Sequence, residues 1–243
     1  MTNRTILRVT GDDRIAFLQG LITNDVTRAT SGIIYAALLT PQGKYLADFF
    51  VIGQDDALLI DVDSVAAPML FQRLTMYKLR ADVTIAETDL QVSRGTGDAP
   101  NGALPDPRHP AMGWRLYGTE IAADNTDWDA IKVANLIPTT GRDLTPDTYI
   151  LEANFEALNG VDFKKGCFVG QEIVARMKHK TELKKGLRRV AITGDAAPGD
   201  AIMSGEKQAG TLHTVHGTQG IAYLRFDRIG DMTTQKASLQ LAD

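Results

Sequence analysis

The most chemically pointed residue in the chain is a cysteine. Cys167 is the only one among 243 residues, and it stands within Lys164–Arg176, KKGCFVGQEIVAR, behind two lysines and a glycine. From Gly170 the order Gln171, Glu172, Ile173, Val174, Ala175, Arg176, Met177 is rich in helix formers and puts Ile173, Val174 and Met177 on one face. The spacing therefore predicts a helix starting just after the cysteine. Its free N–H groups, together with Lys164 and Lys165, favour a thiolate over a thiol. Two readings of these residues stand side by side: a reactive sulfur tuned by Lys165, and a small buried hydrophobe beside solvated lysines.

Composition narrows the chemistry. One cysteine excludes an intrachain disulfide and any four-cysteine iron–sulfur or zinc site built from one chain. No metal centre is expected from the histidines: His109 lies between Arg108 and Pro110 without a ligand-spaced partner, and His213 and His216 face opposite sides of a predicted strand. A net charge of -4 argues against general nucleic-acid binding. The basic run from Lys178 to Arg189 is either a solvated connector or a local attractor for an anion such as a polyglutamate tail. With 44% hydrophobic residues the chain has the makings of a packed core, and no apolar run approaches the roughly 20 residues needed to span a bilayer. The opening MTNRTILRV carries no leader-like pattern, so a cytoplasmic location is the expectation.

The elements that must position these groups read as follows. Ile6 to Val9 is a predicted strand, Gly11-Asp12-Asp13 caps a helix from about Arg14 to Leu21, and Asn24-Asp25 makes a turn. Tyr35 to Leu39 and Tyr45 to Ile52 flank Pro41-Gln42-Gly43 as a hairpin. After a strand at Ala57 to Val62, Ser64 caps a helix to about Leu79, which leads to a strand at Val83 to Ala86. Ser93 to Gly113, with its glycines and prolines, reads as a surface connection. Trp114 to Tyr117 is a strand, and Thr126 caps a helix through Leu136. Beyond Lys185, short strands punctuated by Gly and Pro predict a small antiparallel barrel. The fold class is α+β, with residues 1–183 as one region and 184–243 as the barrel.

The run KGCFVGQE, within a longer match from Leu151-Glu152-Ala153-Asn154 through Leu158-Asn159-Gly160-Val161 to Arg176, resembles the signature of the YgfZ family. Those folate-binding proteins assist iron–sulfur enzymes, and they are related to a mitochondrial assembly factor and, more distantly, to the aminomethyltransferase of the glycine cleavage system. FLQGLITND (Phe17 to Asp25) and RLTMYKLRADV (from Arg73) resemble further motifs of these families. The resemblance implies an aminomethyltransferase-like folate-binding region followed by a C-terminal β-barrel, and tetrahydrofolate or a one-carbon derivative as cofactor. It places Glu152 on the pterin, where a carboxylate can accept hydrogen bonds from an amino group and a ring N–H. Further folate contacts are expected at Asn154, Asp48, Tyr77, Gln171 and Arg176, with Tyr77 equally readable as core and with Lys78 and Arg80 beside it as cavity lining or solvated cations. In the aminomethyltransferases an Asp-Asp pair on the second hairpin strand carries the catalytic carboxylate. Here the pair reads Ala47-Asp48, and strand neighbours face opposite sides.

Three functions compete. The leading one is a tetrahydrofolate-binding accessory protein for assembly or repair of iron–sulfur clusters, with Cys167 reactive and iron–sulfur client or assembly proteins as partners. The second is a folate-dependent one-carbon transferase, which the alanine at position 47 disfavours. The third, a cysteine hydrolase, needs a histidine base, and only His179 is near Cys167 in sequence.

Overall fold

The computed structural model describes residues 3–180 and 182–242. The chain divides into two compact units: residues 1–126 with 155–175, and residues 127–154 with 176–243. The second unit thus takes a segment from the middle of the chain as well as its end.

The first unit is built on β1 (Arg4–Thr10), α1 (Arg14–Gln19), β2 (Ile33–Leu39), β3 (Tyr45–Gly53), β4 (Ala57–Asp63), α2 (Ala67–Lys78) and β5 (Thr84–Glu87). The strands form an antiparallel sheet in the order β2-β3-β4-β1-β5. Alternation along the strands sorts residues to two faces. Ala36, Leu38, Ala47, Phe49, Val51, Ile60 and Val62 pack with Leu18 of α1 and Leu70 and Leu74 of α2 into the main apolar core. The opposite face carries Tyr35, Asp48, Phe50 and Asp61, all buried.

What covers that second face is the stretch predicted to be a surface connection. Here β6 (Gln91–Gly95), β7 (Leu104–Pro105) and β8 (Trp114–Gly118) make a small sheet in the order β6-β8-β7. Asp106, Arg108 and Arg115 are buried. Arg108 forks onto Asp106 at 3.0 and 2.8 Å, and Arg115 bonds both Asp106 and Asp61. Asp61 also accepts from Arg4 Nε at 2.6 Å and from the Tyr117 hydroxyl at 2.8 Å. The guanidiniums of Arg115 and Arg108 stack on the Phe50 ring at 4.0 and 4.8 Å. The tip, residues 96–102, is exposed throughout. Composition alone marked the segment as loop because its Gly and Pro serve the turns, while the charges that anchor it find partners far away in sequence.

Helix starts also differ from the sequence reading. Asp13 makes no cap bond to α1; its carboxylate accepts from the Asp82 N–H at 2.8 Å. Ser64 does not cap α2 but shares a hydrogen bond with Thr5 at 2.9 Å, and α2 starts on a proline turn instead.

In the second unit, α3 (Trp128–Ala134) is capped by Asp127, whose side chain accepts from the Ala130 N–H, so the cap falls one residue after Thr126. The helix of the cysteine motif, α4 (Gln171–Lys180), carries the chain from the first unit into the second. Strands β9 (Lys185–Gly194), β10 (Ala201–Ser204), β11 (Lys207–His216), β12 (Gln219–Arg225), β13 (Met232–Thr233) and β14 (Ala237–Leu241) close into a barrel in the order β10-β11-β12-β9-β14-β13. Its interior is filled by Val190, Ile202, Leu212, Leu224 and Leu239 among others. Register shifts between Leu212 and Thr214, at His213. His213 Nδ1 pairs with the Arg142 carbonyl at 2.9 Å, while His216 Nε2 meets Asp127 at 2.8 Å.

Candidate functional site

The loop that presents Cys167 is fastened to the first unit at closely spaced points. Thr23 Oγ1 donates to the Gly160 carbonyl at 2.6 Å, and the Asp162 N–H donates to the Thr23 carbonyl at 3.0 Å. The Asn24 amide donates to the carbonyls of Asn159 and Tyr35 at 2.7 and 2.8 Å. Asn24 therefore acts as a joint between β2 and the loop, and Asp25 caps a short 3-10 turn through the Thr27 N–H. A side chain at position 160 would collide with Phe155 and Tyr35, 2.6 and 3.0 Å from its Cβ, so Gly160 lets the loop close onto their stacked rings.

Lys165 is the hub of this joint. It is buried, and its Nζ donates to the carbonyls of Gln19, Ile22 and Asn24 at 2.8, 2.6 and 3.0 Å. Three N–H bonds meet three acceptors, one of them on the last residue of α1, where orphan carbonyls attract a cation. Burial pulls the Lys165 amine down to about 8, against the opposing pull of Asp25 and Asp162. Every ammonium proton is engaged by a carbonyl, so the Lys165 expected to tune Cys167 fastens the loop and has no N–H left to bond the sulfur.

Lys165 and Phe168 point inward, with Nζ 5.2 Å from the Phe168 ring centroid, and between them Gly166 and Cys167 are exposed. The sulfur is presented outward by the burial of its two neighbours, which removes the buried-hydrophobe reading. Phe168, Val169 and Gly170 separate it from α4. Gly170 has φ +84, and a Cβ there would meet the Thr40 carbonyl oxygen at 2.7 Å. Gly43, with φ +74, leaves equally little room against Ile173. These two glycines seat the cysteine loop and the start of α4 on the β2–β3 turn.

The other predicted residues fall in three places. Asp48 is buried and accepts from the hydroxyls of Tyr35 and Tyr45 at 2.9 and 2.6 Å. Ala47 points into the apolar core, so that side of β3 offers no cavity for a carboxylate. Tyr77, expected either at the folate or in the core, packs against the same core, on the face of the sheet opposite Asp48. Gln171, half-buried, stays with Cys167 at the start of α4. Arg176 is exposed on α4.

Glu152 and Asn154 belong to the second unit. The Glu152 backbone is held by the Leu187 N–H, which donates to its carbonyl at 2.7 Å; Gly186 permits this approach, since a Cβ there would lie 2.7 Å from the same oxygen. Glu152 is 7% exposed as a residue, and its carboxylate accepts from the Tyr223 hydroxyl at 2.6 Å. Burial, and then this bond, raise the Tyr223 hydroxyl well above its ordinary value. Among the described residues no cation pairs with Glu152. A buried carboxylate with one neutral partner retains capacity for further donors. Asn154, at φ +66, donates its amide to the Leu136 carbonyl at 3.3 Å. Sequence reading missed Tyr223 and the carbonyl hub, because neither makes a local pattern; FLQGLITND marked the hub's region without its chemistry.

Residues 184–243 match the C-terminal β-barrel domain of CAF17. The chain is 32% identical over 218 residues to the mitochondrial iron-sulfur cluster assembly factor IBA57 homolog of Mycosarcoma maydis, an alignment covering 75% of this chain and 54% of that protein. It is 29% identical over 275 residues to the mitochondrial iron-sulfur cluster assembly factor IBA57 of Homo sapiens, covering 94% and 77%. The chain thus spans about half the length of the fungal relative. Its fold matches glycine cleavage system aminomethyltransferase T from Bartonella henselae with a TM-score of 0.80 at 12% identity, covering 100% of this chain and 83% of that one. The fold is aminomethyltransferase-like with a small C-terminal antiparallel barrel, as the resemblance implied, and the barrel matches that of CAF17.

Proposed function

We propose that this protein is a YgfZ-type accessory factor for the assembly or repair of iron–sulfur clusters, and that it binds tetrahydrofolate. The observation that carries the reading is the outward thiol of Cys167 on a loop immobilised by the Lys165 hub. Two relatives named as iron-sulfur cluster assembly factors support it. A single thiolate cannot hold a cluster alone, so Cys167 would supply one ligand to iron while a client or assembly protein supplies the rest. The fixed loop keeps the sulfur exposed at little entropic cost when a partner approaches.

Glu152 suits the pterin end of a folate. Its carboxylate is held by Tyr223 in a buried residue and pairs with no cation among the described residues, so hydrogen bonds from an amino group and a ring N–H would be charge-assisted. Folate when bound brings one-carbon chemistry; the residues of this chain bind and orient it. Asp48, clamped by two tyrosines and flanked by Ala47, gives little support to the transferase reading. The expected location is the cytoplasm, with mitochondria, named for the relatives, as the alternative that fractionation decides.

Calorimetric titration of tetrahydrofolate tests the binding. Glu152→Ala should weaken it by roughly 1.5–3 kcal/mol, the range for a hydrogen bond to a charged group; unchanged affinity would move the pterin elsewhere. Cys167→Ser should abolish maturation of iron–sulfur enzymes in cells while leaving the titration unchanged. Survival of that activity would remove the thiol from the mechanism, and robust turnover of methylene-tetrahydrofolate with an amine acceptor would favour the transferase.

A further inference from the structure

Asparagine followed by glycine is chemically labile, because the glycine nitrogen, with no side chain beside it, can close on the asparagine side-chain carbon. The chain holds two such pairs, Asn101-Gly102 and Asn159-Gly160. Both asparagines are exposed, so exposure does not tell them apart. Hydrogen bonding does. Asn159, at φ 54, donates its side-chain amide to the Pro107 carbonyl at 2.9 Å and accepts at its main-chain carbonyl from Asn24 at 2.7 Å. The Gly160 N–H, whose nitrogen would have to attack, donates to the Phe155 carbonyl at 2.7 Å, and Gly160 is buried. At the tip of residues 93–113 the situation is reversed. Pro100 to Ala103 form a turn closed by the Ala103 N–H on the Pro100 carbonyl at 3.1 Å, with Gly102 at φ +82, as a type II turn requires at its third position. Among the described residues nothing bonds the Asn101 side chain or the Gly102 N–H. The space beside Gly102 is open, since a Cβ there would meet only the Leu116 side chain, at 3.8 Å.

We propose that Asn101-Gly102 is a site of self-modification in the folded protein, and that Asn159-Gly160 is held inert by its hydrogen bonds. The Gly102 nitrogen, its proton passed to hydroxide or a buffer base, bonds to the side-chain carbonyl carbon of Asn101. The bond from that carbon to the amide nitrogen breaks, and the nitrogen takes a proton from water and leaves as ammonia. Water then opens the cyclic imide. Cleavage at the side-chain carbonyl restores the main chain and leaves aspartate; cleavage at the main-chain carbonyl leaves isoaspartate, with the chain routed through the former side chain. Nothing is oxidised or reduced. Either product adds a carboxylate to a turn whose anchors, Asp106 and Arg108, lie outside it. At Asn159 the same change would replace the donor to the Pro107 carbonyl by an oxygen and oppose two acceptors, beside the Asn24 joint that seats the cysteine loop. The fold therefore protects the pair whose loss would loosen that loop and leaves reactive the pair whose loss costs little. The site depends on neither Cys167 nor folate.

Peptide mapping by mass spectrometry tests this on the full chain, incubated at neutral pH in the folded state and, in parallel, in guanidinium chloride. Conversion is read as the exchange of an amide for an acid at each pair, and isoaspartate from its backbone fragmentation. In denaturant the two pairs should convert at comparable rates, because only neighbours along the chain then matter. In the folded chain Asn101 should keep about its unfolded rate, while Asn159 slows at least about tenfold, since it reacts only from the fraction in which its joint has opened. Asn101→Gln, whose longer side chain closes the ring poorly, should remove conversion at that position and leave Asn159 as in wild type. Equal rates at the two pairs in the folded chain, or an Asn101 slowed as much as Asn159, would overturn the proposal. Thermal unfolding supplies a second readout: Asn101→Asp should melt like wild type, whereas Asn159→Asp should melt lower. The reverse order would overturn the claim that the fold protects the costlier pair.

Discussion

Lys165 shows how a charged side chain can hold a loop without a carboxylate partner. Its three carbonyl acceptors are backbone groups that would otherwise be unpaired near the end of α1. Lys165→Met keeps the aliphatic stem but strands these oxygens, and the expected cost is about 2–4 kcal/mol, since each buried acceptor left without a donor forfeits about 1–3 kcal/mol and water recovers part of it. Urea denaturation measures that loss, and faster reaction of the Cys167 thiol with an alkylating reagent would report loosening of the loop. An unchanged midpoint would show that the hub is replaceable. At this scale the sequence was partly informative. Cys167 was found from its neighbours, but the lysine beside it was assigned to the sulfur, because proximity along the chain hid three acceptors more than 140 residues away.

At the scale of elements, the seat of α4 depends on backbone that only glycine occupies easily. Gly170→Ala meets both a positive φ and the Thr40 carbonyl, so it should destabilise by more than the roughly 1–2 kcal/mol that left-handed backbone alone costs. Thermal unfolding checks this, with Gly166→Ala as the comparison, because nothing lies near a Cβ at position 166. Equal effects of the two would remove the contact argument. Strands and helices were legible from periodicity, since β3 and β4 alternate cleanly between core and opposite face. Caps were less so. Asp13 and Ser64 have the right residue type at the right place, yet their side chains bond Asp82 and Thr5, partners that no local window contains.

At the scale of the molecule, acid should act first on the charged layer over the five-stranded sheet. Burial alone would raise the Asp61 carboxyl, but Arg115 and Arg4 outweigh it and hold it at about 2, below its ordinary 3.8. Because the folded value is depressed, the unfolded chain binds the proton first, and the stabilisation is complete above 3.8 and disappears as pH falls toward 2. The contribution is about 2 kcal/mol. Denaturant unfolding of wild type between neutral pH and pH about 2 should show this loss. Asp61→Asn should start less stable and lack that part of the acid dependence; parallel curves would place the titration elsewhere. The architecture, a mixed region followed by a barrel, was readable because strand spacing and turn residues are local. The charged layer was not, because its members lie on four separate strands and loops.

That layer also divides residues 93–113 into a part that bears on the fold and a part that does not. Asp106 and Arg108 are anchored beneath and the Gly97 carbonyl accepts from the Trp114 indole, whereas residues 98–101 are exposed. A foreign epitope or fluorescent label grafted between Asp98 and Ala99 should therefore be accommodated, giving a handle for imaging or pull-down that disturbs neither the cysteine loop nor the barrel.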